Sequence, residues 1–334
     1  MKKIIILIIM TLLLVSGCGK VNNEKLIKEF KDDVLGSKGY EIDGIMEITG
    51  DEEVFTYKVN VAFKKDDYYR VSLINETNNH EQLILKNKEG VFVVTPSLNK
   101  SFKFQSEWPK SSSQAYLLAS LVDDLNKEGV SELKKTEDGY EITANVSYPN
   151  NPDLTKEKIY FDKNMNLLKV EVLTEEGTVK IKVNFTSIDY KTNFDDDYFD
   201  LDTVIDEECC REGEDKETNK LEDIIYPLYV PANTYLTGKD VIKLDKGERV
   251  ILTFAGDANF ILVEETIIIP SELEIIPVYG DPLMLTNGVA ALSGNSLRWT
   301  KNNIDYYLTS ESLNSKELAT IAESLENATA TIGK

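Results

Sequence analysis

The nine residues Phe55-Thr56-Tyr57-Lys58-Val59-Asn60-Val61-Ala62-Phe63 carry an apolar side chain at every odd position and a polar or small one between. A period of two marks a strand with one face on a core and the other toward water. The alternation returns in Tyr140, Ile142, Ala144, Val146 and Tyr148, in Leu168, Val170 and Val172, and in Val179, Ile181, Val183 and Phe185. Asp138-Gly139, Asp162-Lys163-Asn164 and Glu176-Gly177 stand between these runs. Such turn residues suit hairpins rather than parallel crossovers. A large curved antiparallel sheet is expected.

Two helices are predicted to cap its apolar face. Leu26, Ile27, Phe30 and Val34 fall at helical spacing behind Asn22 and Asn23 as N-caps. Leu118, Leu121, Val122 and Leu125 form a second stripe, with Ser111, Ser112 and Ser113 as N-caps and Gly129 as the stop. Between helices and sheet, Phe55, Tyr57, Val59, Val61, Phe63, Tyr69 and Val71 are the candidate lining of a hydrophobic cavity, or else a filled core.

The chain turns acidic from Phe194 to Lys220, through Asp195-Asp196-Asp197 and Glu207-Glu208-Cys209-Cys210, and residues 204–220 read as an inter-domain linker. The aspartate run lacks the order of a calcium loop. Residues 221–334 form a smaller second domain. It opens on the irregular Tyr226-Pro227-Leu228-Tyr229-Val230-Pro231. Residues 250–254, 260–263 and 267–269 read as buried strands, and Leu297, Trp299, Ile304, Tyr306 and Leu308 as an aromatic hairpin. Asn314-Ser315-Lys316-Glu317 is a capping-box pattern leading into Leu318, Ile321, Ala322 and Leu325 on one helical face. The fold class is α+β, a helix-capped antiparallel half-barrel followed by a smaller α+β domain.

At the N-terminus, Lys2-Lys3 precede an apolar run that closes on Val15-Ser16-Gly17-Cys18. The run is shorter than the roughly 20 residues that span a bilayer, and small residues abut the cysteine. This arrangement resembles the bacterial lipoprotein signal. The resemblance implies that residues 1–17 are removed, that Cys18 receives a diacylglyceryl group, and that residues 18–24 tether the protein to the outer face of the cell membrane. Two acyl chains suffice for stable attachment.

The formal net charge is -21, so nucleic acid is excluded as a partner, and the membrane must be held through the lipid on Cys18 rather than a basic patch. Three cysteines do not make a disulfide framework, and the acidic neighbours of Cys209-Cys210 oppose thiolate formation. The single histidine, His80, has no nucleophile pattern near it in sequence. No metal-ligand spacing and no phosphate loop are present, and no cofactor is expected.

Residues 25–203 look like the LolA/LolB-like lipoprotein-carrier fold. The likeness rests on Val91-Phe92-Val93-Val94-Thr95-Pro96, Lys100-Ser101-Phe102, Trp108-Pro109, the Tyr116-Leu117-Leu118 helix and the late strand pair ending between Phe185 and Tyr190. The pattern resembles sporulation and germination lipoproteins of spore-forming Gram-positive bacteria. The ending, from Trp299-Thr300 to Ile321-Ala322, is similar to a small domain of secreted sporulation and anti-sigma-type proteins. These resemblances imply no catalysis. They imply an envelope role in sporulation or germination, through a lipid or acyl-chain ligand or by scaffolding an envelope protein. Alternatives are an envelope-stress sensor acting on an anti-sigma factor, and a cell-wall hydrolase.

Overall fold

The computed structural model describes residues 22–332, apart from 51–52, 111, 128–129, 131–132, 209–220, 222–223, 268, 271, 287 and 302–303. The signal segment, Cys18, Ser111, Gly129 and Cys209-Cys210 lie outside the described residues.

Helix α1 (Asn23–Gly36) starts behind Asn22, whose side chain accepts the Lys25 amide at 2.9 Å. A meander follows, β1 (Gly39–Thr49), β2 (Val54–Lys64), β3 (Tyr68–Asn75), β4 (Glu81–Asn87), β5 (Gly90–Thr95) and β6 (Lys100–Phe104). Helix α2 (Leu118–Leu125) leads to β7 (Lys134–Lys135), β8 (Gly139–Asn145), β9 (Leu154–Asp162), β10 (Leu167–Thr174) and β11 (Val179–Asp189). Strand β11 closes back on β1, so the sheet runs β6-β5-β4-β3-β2-β1-β11-β10-β9-β8-β7. Helices α1 and α2 pack together on its concave face, where Leu26, Phe30, Leu118, Leu121 and Leu125 meet Val61, Val71, Ile159 and Phe161.

Three expectations need correction. Helix α2 has Leu117 at its N-cap and no side-chain cap, and it ends at Leu125. Ser113 instead bonds Asp124 from outside the helix. Leu168 is exposed and Leu167 takes the inner position, because the β9–β10 register shifts between Leu167 and Lys169. Residues 267 and 269 belong to a connection, since β14 (Phe260–Thr266) has already ended.

The sequence also understated what covers the convex face. Phe199, Leu201 and Val204, from helix α3 (Leu201–Glu208) and the turn before it, pack on Ala62, Leu83, Leu85, Phe92 and Val94. Strands β4 and β5 are therefore buried on both faces, the reason Leu83-Ile84-Leu85 and Val91-Phe92-Val93-Val94 are continuous apolar runs without alternation. Val204 and Ile205, at the start of the expected linker, lie on this sheet.

The C-terminal sheet has the order β12-β13-β14-β19-β18-β17-β16, built from β12 (Thr234–Lys243), β13 (Glu248–Gly256), β14, β16 (Asp281–Leu285), β17 (Gly288–Ser293), β18 (Ser296–Lys301) and β19 (Ile304–Thr309). Helix α4 (Ser315–Ile332) buries Leu318, Ile321, Ala322 and Leu325 against it. Its capping box is reciprocal: Glu317 N–H donates to Asn314 Oδ1 at 3.0 Å, and Asn314 N–H to the Glu317 carboxylate at 2.9 Å.

One strand breaks this division. Strand β15 (Glu274–Val278) leaves the C-terminal sheet and pairs in parallel with β6, extending the first sheet to twelve strands. Glu274 N–H donates to Asn99 O at 2.8 Å and Gln105 N–H to Val278 O at 3.0 Å. Buried polar contacts weld the same seam. Lys100 Nζ bonds Asp305, which also takes Arg298 at 3.3 Å. Gln82 exchanges two hydrogen bonds with the Val289 backbone, accepting its N–H at 2.6 Å and donating to its C=O at 3.3 Å. Gly288 is required beside it: its φ is +139°, and a Cβ there would lie 2.6 Å from Gln82 Oε1.

Gln82→Ala leaves the buried Val289 N–H and C=O without these partners, so a loss of about 1–3 kcal/mol is expected in urea unfolding. An unchanged midpoint would mean that this contact does not hold the seam.

Candidate functional site

Where the C-terminal half meets the mouth of the half-barrel, the two sheets leave a cleft of about 670 Å³. Its inner wall is Ile48, Ile84, Trp108 and Ile181 from the first sheet and its loops, faced by Met284 and Val289 from β16 and β17. The volume lies within the range of small-molecule sites, and an apolar wall with a few polar groups is their usual composition. The rim is polar. Lys316, at the start of α4, bridges to Asp153 in the β8–β9 loop at 2.5 Å, tying the halves across the opening. Glu323 accepts the Thr286 amide at 3.1 Å, and Lys180 and Asn295 border the entrance.

The seven residues singled out from the sequence share one face and one core. Val59, Val61, Tyr69 and Val71 are buried, and Phe55 and Phe63 pack against them. The strip is filled by rings: Tyr40 stacks on Phe63 at 4.6 Å, Phe63 lies 5.0 Å from Tyr69, and Tyr69 meets Trp108 edge-on at 5.7 Å. None of the seven lines the cleft. Tyr57 donates to Thr286 O at 2.9 Å and borders a second pocket of about 30 Å³. The cleft was missed because about half its lining comes from the C-terminal half, residues 280–295 and the start of α4 above all, which sequence alone assigned to a separate domain.

A buried acidic cluster adjoins the inner end. Asp124 of α2 accepts Ser113 Oγ at 2.9 Å and is bonded by Lys127. Ser113 N–H in turn donates to Ser147 O at 2.8 Å and Ser147 N–H donates to Ser113 Oγ at 3.0 Å, next to the cleft residue Tyr148. Glu157, on the concave side of β9, is fully buried, and neither carboxylate oxygen has a partner among the described residues. Burial pushes its acid form well up, and the Asp124 charge adds to this against a smaller pull from Lys127. Burial likewise raises Asp124. Burial and the Asp124 charge both favour the protonated form of Glu157 beneath α2.

His80 lies at the β3–β4 turn, with Nδ1 3.5 Å from Ser97 Oγ, the outer limit of a hydrogen bond. Its Nε2 is buried and has no partner among the described residues, so no carboxylate orients the ring as a hydrolytic triad requires. Burial lowers its basicity. Among the described residues no group of three His, Cys, Asp or Glu side chains is placed to hold a metal, and no helix is long and apolar enough to cross a membrane.

The family model described as "Sporulation protein YdcC-like" matches residues 1–199. The chain belongs to the YdcC-like sporulation protein family. Sporulation protein YdcC of Bacillus subtilis (strain 168) is 32% identical over 322 residues, covering 95% of this chain and 94% of the relative. The YdcC-like chain thus shares its C-terminal half, as well as the first sheet, with that protein. Among solved structures, the Pseudomonas aeruginosa MucA/MucB complex gives a TM-score of 0.31 at 12% identity, covering 90% of this chain and 96% of that one. The LolA superfamily protein NE2245 from Nitrosomonas europaea gives 0.31 at 11%, covering 55% and 100%. The CwlD amidase–GerS lipoprotein complex from Clostridioides difficile gives 0.30 at 18%, covering 52% and 98%. Overlaps this loose carry no functional argument.

Glu157 supplies a test of the buried cluster. A carboxyl whose pKa is raised in the folded state favours folding while protonated. Its contribution is present below the ordinary value of 4.5 and is lost as pH climbs from there toward the folded value. The native protein should lose stability as pH rises above the ordinary carboxyl value of 4.5, and Glu157→Gln should flatten that decline in urea unfolding. Equal slopes in the two proteins would remove Glu157 as its source.

Proposed function

We propose that this is a lipid-anchored extracytoplasmic protein of sporulation that holds a hydrophobic ligand in the cleft at the seam of its two halves. The observation that carries the reading is the cleft itself: an apolar inner wall of Ile48, Ile84, Trp108, Ile181, Met284 and Val289 opening to a polar rim. An acyl chain satisfies such a wall by burying CH₂ groups, at about 0.8 kcal/mol each. Its polar end then stays among Lys180, Asn295 and the Lys316–Asp153 bridge. The sporulation role is supported by the family and by the name of the Bacillus subtilis relative. The anchor is Cys18, on its resemblance to lipoprotein signals. Fixed there, the protein works at the membrane surface rather than as a shuttle. The role is non-catalytic: binding, with the C-terminal half forming one wall of the site.

Two measurements test this. Native mass spectrometry of residues 19–334 purified without detergent should find co-purified lipid, and Met284→Trp, which fills the cleft from β16, should abolish it. A clean apo mass, or lipid retained by Met284→Trp, would remove the cleft as the ligand site. In cell fractionation Cys18→Ala should move the full chain from the membrane to the soluble fraction. A variant that stays membrane-bound would contradict the anchor.

A further inference from the structure

Strand β12 is the outer strand of the C-terminal sheet, paired with β13 on one side and with no strand on the other among the described residues. It is long and exposed on both faces: Tyr235 is 67% exposed, Leu236 42%, Val241 51% and Ile242 41%. Tyr226, Leu228 and Tyr229, from the irregular segment before it, are exposed as well, and Tyr226 Oη lies 3.3 Å from Lys239 Nζ of β12. An unpaired edge with this much exposed apolar surface is a template for another strand.

The register of β12 shows which strand fits. Leu236 lies opposite Phe254 and Val241 opposite Val250, and Phe254 and Val250 both face the core. Tyr235 lies opposite Ala255 and Ile242 opposite Arg249, on the other face. Residues five and seven apart share a face only because the pairing shifts between Leu236 and Gly238, leaving Thr237 as an extra residue. Counted in sheet positions, with Thr237 and Gly238 as one, the four apolar residues are symmetric about Lys239. A two-fold axis through Lys239, perpendicular to the sheet, sets Leu236 against Val241 of a second copy on the core side. The same axis sets Tyr235 against Ile242 of the second copy on the outer side, and Gly238 makes room for Asp240. In an isologous contact residue i meets j and j meets i, so this symmetry lets each of the four apolar side chains meet another apolar one.

We infer that β12 is a homodimer interface, where two copies pair antiparallel through this edge and join their seven-stranded sheets into one. The inference is independent of the ligand reading. It has a distinct electrostatic consequence. The two Lys239 side chains approach at the axis and each chain carries a net charge of -21, so both local and global repulsion oppose pairing. Salt screens both, and dimerisation should strengthen as salt rises.

Sedimentation equilibrium of residues 22–334, which hold every described element, tests it. A monomer–dimer equilibrium that tightens at high salt is expected. Val241→Lys removes two cross-strand apolar pairs per dimer and should raise the dissociation constant about tenfold. Tyr235→Asn, on the opposite face, should weaken it too, and both sites are exposed, so folding by circular dichroism should be unchanged. A protein that stays monomeric at all concentrations and salts overturns the inference, as does a dimer that neither substitution weakens.

Discussion

Five residues, Glu274–Val278, leave the C-terminal sheet to pair in parallel with β6, and the rest of the molecule depends on that contact. Without it β6 would be the bare edge of a large open sheet, with unpaired N–H and C=O groups along its length. With it, the C-terminal half is drawn over the mouth of the half-barrel. Gln82 then reaches the Val289 backbone, and Lys100 reaches Asp305. Ala291 and Val289 enter the first core alongside Ile84. A buried lysine–carboxylate pair gains little net stability after desolvation, but an unpaired Lys100 at this depth would be costly, so the pair fixes the register of the two halves.

The seam also explains where the open space lies. The rings of Tyr40, Phe63, Tyr69 and Trp108 fill the concave face along β2 and β3, and helices α1 and α2 pack into the same core. Toward the last residues of β1 and the first of β11, the sheet's apolar surface continues at Ile48 and Ile181 and lines the cleft. The β16–β17 hairpin arches over this stretch without touching it everywhere. A site built in this way is formed only when both halves are present, in keeping with a relative that matches over nearly the whole chain.

Much of this was legible in the sequence, and the exceptions have physical reasons. Period-two runs located β2, β8, β10 and β11, and the cap at Asn22 and the box at Asn314 and Glu317 marked the starts of α1 and α4. Those signals are local. Leu167 and Leu168 exchanged faces because a register shift depends on the neighbouring strand, which no single-strand pattern encodes. Strand β15 escaped notice because Glu274-Ile275-Ile276-Pro277-Val278 is short, contains a proline and pairs with residues far away in sequence. The apolar strip of β2 and β3 was visible, but whether a strip is filled or hollow depends on what packs over it. Trp108 and Tyr40 decide that.

The two tryptophans, Trp108 in the first core and Trp299 in the second, allow the central claim to be tested directly. Urea unfolding of Trp108→Phe and Trp299→Phe, each followed by the fluorescence of the remaining tryptophan, reports one half at a time. A seam that makes one cooperative body predicts coincident transitions, with the same midpoint and slope in both proteins once each variant's stability is matched by circular dichroism. Two transitions at separate urea concentrations, one half unfolding while the other stands, would contradict it.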